Sequence, residues 1–214
     1  MRIGIIGSGL MGGKLGTLFA RAGHKVVFSY SRGQRKLQRL ARTAGRNTRA
    51  GTPADAARDA DAVLIAVHWS RVKHALQQAG DLSGKILISC MLPMNKNNTR
   101  LLIASTSSGA EALAKRVPHA RVVSAFNTVP SEVLFSVYEA KRKRRRPSLV
   151  LCGDDKRAKQ AVSKLIRDVG FEPVDAGPLR AARYTEPTGL LVAQLAYYSG
   201  HRPELAYRFE WFAS

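Results

Sequence analysis

The stretch "RIGIIGSGLMGGKLGTLFARAG", residues 2 to 23, constrains the fold more than any other part of the chain. A short apolar run, "RIGII", has the length and composition of a buried strand. It is followed at once by glycines, and then by Leu15, Leu18 and Phe19 at helical spacing, with "AGH" closing the helix at Gly23. Gly7, Gly9 and Gly12 form a G-x-G-x-x-G that leaves a strand and opens a helix, the context that gives this pattern its meaning. The first glycine permits a tight turn, the second lets backbone approach a pyrophosphate, and the third lets helix and strand pack closely. Backbone N–H groups at the start of such a helix face the anion. The alternative is a glycine turn with a purely structural purpose.

The remainder of the chain repeats the alternation. "KVVFSY", "DAVLIAV", "GKILISC", "RVVSAF", "PSLVLC" and "FEPVDAG" are expected strands, with a weaker one between "QRKLQRLARTAG" and "TPADAARDA". Those two stretches are expected helices, as are residues 71–79, 107–116, 130–138, 154–170 and 184–198, the last containing Pro187. Strands alternating with helices require a sheet covered on both faces. The expected class is therefore α/β, a Rossmann-type doubly wound, mostly parallel sheet with a small C-terminal α/β extension. At 214 residues the chain can bury roughly 70% of its unfolded surface without staples.

In dinucleotide-binding sheets a carboxylate that grips the ribose lies about 20 residues beyond the glycine motif, at the end of the second strand. Counting from Gly12 reaches Arg32, within "SYSRGQRK", and no acid is present there. An arginine can hold a 2′-phosphate dianion bidentately, with Ser31 and Lys36 adding donors, whereas a carboxylate would repel it. The cluster thus favours NADP over NAD. The alternative is a solvated turn, ordinary in so basic a chain.

The chain carries 35 Lys and Arg against 15 Asp and Glu, a net +20, which implies an anionic partner. Six cations are consecutive in "KRKRRR", residues 141 to 146, but no aromatics interleave them to stack on bases, so nucleic acid is not the expected partner. No apolar run approaches the ~20 residues of a membrane span, and the first is too short for a signal-peptide core. Cys90 and Cys152 each end an apolar run in no metal-binding spacing. The expectation is a cytoplasmic protein with reduced core cysteines and no metal.

"VVSAFNTVP", "LCGDD" and "PVDAGPLRAAR", together with the glycine motif and "SRGQRK", resemble the NADPH-dependent reductases of the 5-deazaflavin coenzyme F420. The same motifs occur in the oxidoreductase domain of the STEAP ferric reductases. The resemblance runs from Met1 to about Tyr207. It implies an NADP-binding Rossmann domain, residues 1–140, and a smaller part, residues 141–214, that packs on it and helps form both the acceptor cleft and a dimer contact. It further implies hydride transfer between NADP(H) and a deazaflavin or flavin-like coenzyme. Carried over residue by residue, Ser8, Gly9, Leu10 and Met11 match the pyrophosphate loop, and Ser31, Arg32 and Lys36 the 2′-phosphate site. Val67, His68 and Trp69 fall in the loop after the fourth strand, Met91 and Pro93 in the loop over the nicotinamide, and Ala125 and Asn127 at the end of "AFN". Where the archaeal enzymes carry proline and histidine this chain has His68 and Asn127, the latter as in the STEAP-like branch.

From the residues alone, Asn127 follows a strand's C-terminal end, where ligands of open α/β sheets bind. It either orients the nicotinamide or an acceptor ring, or caps the helix at Pro130. His68 either donates a proton, lines the cleft or is structural. Asn127 and His68 are the candidate catalytic residues. Leu190, Leu191, Leu195, Tyr197 and Tyr198 give the last helix more apolar surface than it needs alone, so either it forms a homodimer contact or it docks onto its own sheet. An NADP-binding or sensing protein without turnover and a STEAP-like NADPH:flavin or ferric reductase are the competing functions.

Overall fold

In a computed structural model describing residues 1–31 and 33–212, the chain alternates strand and helix eight times. The elements are β1 (Arg2–Ile6), α1 (Leu10–Arg21), β2 (Lys25–Ser29), α2 (Gln34–Ala44), β3 (Thr48–Ala50), α3 (Pro53–Arg58), β4 (Ala62–Ile65) and α4 (Val72–Ala79). They continue with β5 (Ile86–Ser89), α5 (Gly109–Arg116), β6 (Arg121–Ala125), α6 (Leu134–Glu139), β7 (Ser148–Gly153), α7 (Lys156–Asp168), β8 (Glu172–Asp175) and α8 (Ala182–Tyr198). One eight-stranded sheet runs in the order β3-β2-β1-β4-β5-β6-β7-β8. The doubly wound class expected from sequence is the observed one.

Local chemistry explains the boundaries. Thr52 and Asp55 form a reciprocal capping box at the start of α3, with Pro53 in its first turn. Asp155, rather than its neighbour Asp154, caps α7 by accepting from the Ala158 N–H at 2.6 Å. Asp154 instead accepts from the Leu179 N–H at 2.8 Å and holds the turn that leads to α8. The sheet packs on both sides. Leu15, Leu18 and Phe19 of α1, Leu37 of α2, Leu134 of α6 and Leu165 of α7 bury against one face. Ala56 of α3, Val72 of α4, Leu113 of α5 and Ala182 of α8 bury against the other.

Six strands are parallel, but β7 pairs antiparallel with β6, and β8 then runs parallel to β7. The connection from β6 runs through the turn Ser131–Val133 and α6 and does not bring the chain back along the sheet before β7 begins, since Ala125 at the end of β6 pairs with Leu151 of β7. The chain therefore re-enters the sheet from the end at which it left. The basic run 141–146 is the loop that makes this return, and its residues are half-buried or exposed. Cys90 and Cys152 are both buried thiols, pushed up to about 12 by that burial. Among the described residues no helix is long and apolar enough to cross a membrane.

Candidate functional site

The parallel strands deliver their C-terminal ends to one edge, and the glycine turn after β1 lies there. Gly7 has φ +106° and lies so close to β4 that a Cβ would sit 2.3 Å from the Ala66 carbonyl oxygen. At Gly12 a Cβ would sit 2.0 Å from the Gly7 carbonyl oxygen, so this glycine is what lets α1 press onto the turn. A Cβ on Gly9 would meet nothing within 4 Å. Gly9 is also the residue before α1, and among the described residues no side chain caps that helix and no acid lies in its first turn. An open space against unpaired N–H groups suits an anion, and a dinucleotide's pyrophosphate fits it. Leu10, 71% exposed, stands at the rim. Ser8 is tied inward: its hydroxyl donates to the Ser29 carbonyl at 2.8 Å, joining the glycine turn to the end of β2.

At that end Tyr30 has φ 56°, the left-handed region, which turns the chain toward Ser31. The Tyr30 hydroxyl is held by His74 Nδ1 at 2.8 Å. Ser31 is half-buried, and Lys36 is exposed in the first turn of α2, whose start at Gly33 also lacks a side-chain cap. Arg32, the third member of the expected 2′-phosphate cluster, lies outside the described residues.

Beyond β4, Val67 is half-buried and His68 has partners at both ring nitrogens. Nδ1 meets Ser70 Oγ at 2.9 Å, and Nε2 meets the Asn95 carbonyl at 3.2 Å and Asn98 Oδ1 at 3.1 Å. The histidine thereby joins the loop after β4 to the long segment between β5 and α5. Trp69 lies under the Arg116 guanidinium, 5.1 Å from ring centroid to charge. Met91 and Pro93 are buried at the start of that segment, and the Pro93 ring packs against Gly109.

At the end of β6, Ala125 and Phe126 are fully buried. Phe126 has φ 66°, a backbone conformation that a bulky residue adopts only under constraint, and its ring meets Phe19 edge-on at 6.0 Å. The following residue, Asn127, donates from Nδ2 to Ser124 Oγ at 3.1 Å. It does not cap the turn beginning at Pro130, which has no side-chain cap.

A cavity of about 220 Å³ opens between these ends. Leu10 and Met11 of α1, Cys90 and Leu92 after β5, Phe126, Asn127 and Val129 to Ser131 after β6, and Gly189, Val192 and Tyr197 of α8 line it. Of the C-terminal part, residues 141–214, α8 is the element that lines it. That helix turns Val192 and Ala196 inward and leaves Leu191 58% and Leu195 48% exposed, so its leucine-rich side does not dock on the sheet. Two features of α8 escaped the sequence reading. Gly189 lets the helix pack directly on Asn127, where a Cβ would sit 2.4 Å from the Asn127 carbonyl oxygen. Glu186, 1% exposed, accepts from the Gly109 N–H at 2.8 Å and the Ala110 N–H at 2.9 Å, capping α5 from another helix. Burial pushes its carboxyl up to about 7 despite those two donors. Beside it, hydrogen bonds from Arg183 hold Glu111 below the usual carboxylate range. At the cavity mouth the Tyr197 hydroxyl donates to Glu132 at 2.6 Å.

Residues 2–93 match the family model described as "NADP oxidoreductase coenzyme F420-dependent". The chain is 30% identical over 185 residues to metalloreductase STEAP3 of Rattus norvegicus, covering 86% of this chain and 36% of that protein. It is 30% identical over 145 residues to the F420-dependent NADP reductase of Methanocaldococcus jannaschii, covering 64% and 63%. This chain thus spans less than two thirds of either relative. Among solved structures, a protein of Arthrobacter sp. FB24, named provisionally as an F420-dependent NADP reductase, superposes with a TM-score of 0.85 at 23% identity, covering 98% and 99%. A reductive aminase of Aspergillus terreus solved with NADPH superposes at 0.67 and 16% identity, covering 93% and 63%; both show the shared fold.

Proposed function

We propose that this chain, a homologue of the F420-dependent NADP reductases and of the STEAP metalloreductases, is an oxidoreductase that binds NADP(H) and exchanges hydride with a deazaflavin or flavin-like ring. The observation that carries the reading is the cavity at the open start of α1. A dinucleotide whose pyrophosphate rests on Gly9 has Leu10 and Met11 leading straight into that cavity. Gly7, Ser8, Gly9, Leu10, Met11 and Gly12 would hold the pyrophosphate, with Ser31, Arg32 and Lys36 on the 2′-phosphate. Val67, Trp69, Met91, Pro93 and Ala125 would surround the base and nicotinamide, with His68 fixing the loop between them.

NADPH would supply the hydride. What the chain's own residues add is orientation and exclusion of water, and a cavity walled by Leu10, Met11, Leu92 and Val192 suits both. In this reading residues 1–140 carry the cofactor, and the remaining part, through α8, closes the acceptor side. The exposed Leu191, Leu195 and Tyr198 form a contact between two copies.

The acceptor is settled by mixing the protein and NADPH with oxidised F420, then FMN, FAD and ferric chelates, while following absorbance. Oxidation of NADPH is expected with F420 or a flavin. Oxidation with ferric chelate only after flavin is added would place the chain functionally with the STEAP relatives. No oxidation with any acceptor would overturn the reductase reading and leave an NADP-binding protein without turnover.

A further inference from the structure

The basic run 141–146 is absorbed by neither the cofactor site nor the cavity. Lys141 covers the Tyr138 ring at 3.7 Å. Arg142, Lys143, Arg144 and Arg145 are exposed and Arg146 is half-buried, and none of these five has an ion-pair partner among the described residues. By itself the run lacks rings on which bases could stack. The fold supplies them. The residues that follow α8 return to the start of β7, just beyond Arg146. There the Ser148 N–H donates to the Tyr207 carbonyl at 2.8 Å, and the Phe209 N–H donates to Ser148 Oγ at 2.9 Å. The Tyr207 hydroxyl donates to Thr128 Oγ1 at 2.7 Å, and its ring meets Phe209 edge-on at 5.4 Å, so the strip is pinned to the body of the protein. From there outward the rings are uncovered: Phe209 is 52%, Trp211 91% and Phe212 95% exposed. Arg208 stands among them, and Glu210 is paired with it at 2.8 Å. Rings so open to water, beside five cations without partners, call for an occupant that is anionic and carries flat apolar faces.

We propose that the loop 141–146 and the strip 207–212 form one docking surface for single-stranded nucleic acid, the cations holding successive phosphates while Phe209 and Trp211 stack on bases. The inference goes beyond the oxidoreductase reading and uses none of the residues placed on the cofactor. A cationic track with aromatic rings beside it is what single strands require, and neither part depends on sequence. A duplex keeps its base faces stacked inside and offers the surface only phosphates. An anionic lipid surface would attract the same cations, but insertion needs a continuous apolar face. Here Arg208 and Glu210 stand between the rings of Tyr207, Phe209 and Trp211.

The test is fluorescence anisotropy with labelled oligothymidylate and oligouridylate of about 12 nucleotides, a length within the range of single-strand grooves. A duplex of the same length and vesicles of phosphatidylcholine with phosphatidylserine are the comparisons. The wild type is expected to bind both single strands alike, because neither contact reads the sugar, and the duplex about ten-fold more weakly for want of stacking. Trp211→Ala should weaken single-strand binding by about ten-fold and leave its salt dependence unchanged. Replacing Lys143, Arg144 and Arg145 together by Ala should instead flatten the slope of log affinity against log salt by about 2, three phosphate contacts at about 0.7 each. All four side chains are exposed, so both variants should melt with the wild type. Binding of the duplex as tightly as the single strands would reduce the surface to a plain cationic patch and overturn the inference without need of a variant. So would a Trp211→Ala protein that binds single strands as the wild type does. Absence of oligonucleotide binding, with or without capture by the vesicles, would overturn it as well.

Discussion

Gly12→Ala is expected to destabilise the protein by about 3 kcal/mol, at the upper end of what overpacking costs. The new methyl would sit 2.0 Å from the Gly7 carbonyl oxygen, with Ala66 Cβ at 3.0 Å and Ile5 Cγ2 at 3.1 Å behind it. No flexible side chain can yield, because the obstructing atom is backbone. Gly7 cannot retreat either, held at φ +106° against Ala66. Relief requires α1 to lift from the sheet, which loosens Leu15, Leu18 and Phe19, all fully buried. For a chain of this size the melting temperature should fall by about 6–12 °C. Gly9→Ala is the control, since its Cβ meets open space. It should melt with the wild type yet bind NADPH more weakly, because the space it fills is where the pyrophosphate would rest. A Gly12→Ala protein that melts at the wild-type temperature would show that close packing of helix on turn is not what this glycine serves.

A second large effect is expected at Glu186 and is read as a pH dependence. Burial raises its carboxyl from the ordinary 4.5 to about 7, so the folded chain holds this proton more tightly than the unfolded chain does. Its contribution to stability is therefore complete below about pH 4.5 and is lost as pH rises through about 7. Across that window the shift corresponds to about 3 kcal/mol. Glu186→Gln cannot titrate, and the unfolding free energy of the wild type minus that of the variant should grow by this amount from pH 7 down to 4.5. His24, whose pKa burial lowers, has the opposite tendency below its ordinary 6.5 and cancels in the difference. A difference that stays flat with pH would mean that Glu186 is charged throughout, and that the two donors on α5 outweigh its desolvation.

The fold was legible where local chemistry has a direction. The glycine motif announced a strand, a turn and a helix in that order, and Pro53 with Thr52 announced the start of α3. The third strand was faint because β3 has only three residues. The reversal of β7 could not be read, since "SLVLC" is equally apolar in either direction. Asn127 was legible as a polar residue at a strand end, but its unpaired oxygen depends on Ser124, Phe126 and Gly189 meeting around it. Periodicity marked α8 as apolar without saying which side would be covered. Tyr197 and Val192 face the cavity while Leu191 and Leu195 face outward. An acid beside Pro187 in an apolar helix was the one available signal for Glu186.

The account stands on a cofactor distinguished by its 2′-phosphate, and calorimetric titration with NADPH and NADH tests that directly. NADPH should bind at least ten-fold more tightly. Replacement Arg32→Ala should weaken NADPH by about 1.5–3 kcal/mol, the worth of a hydrogen bond to a charged group, while hardly changing NADH. Equal binding of the two cofactors by the wild type would contradict the account.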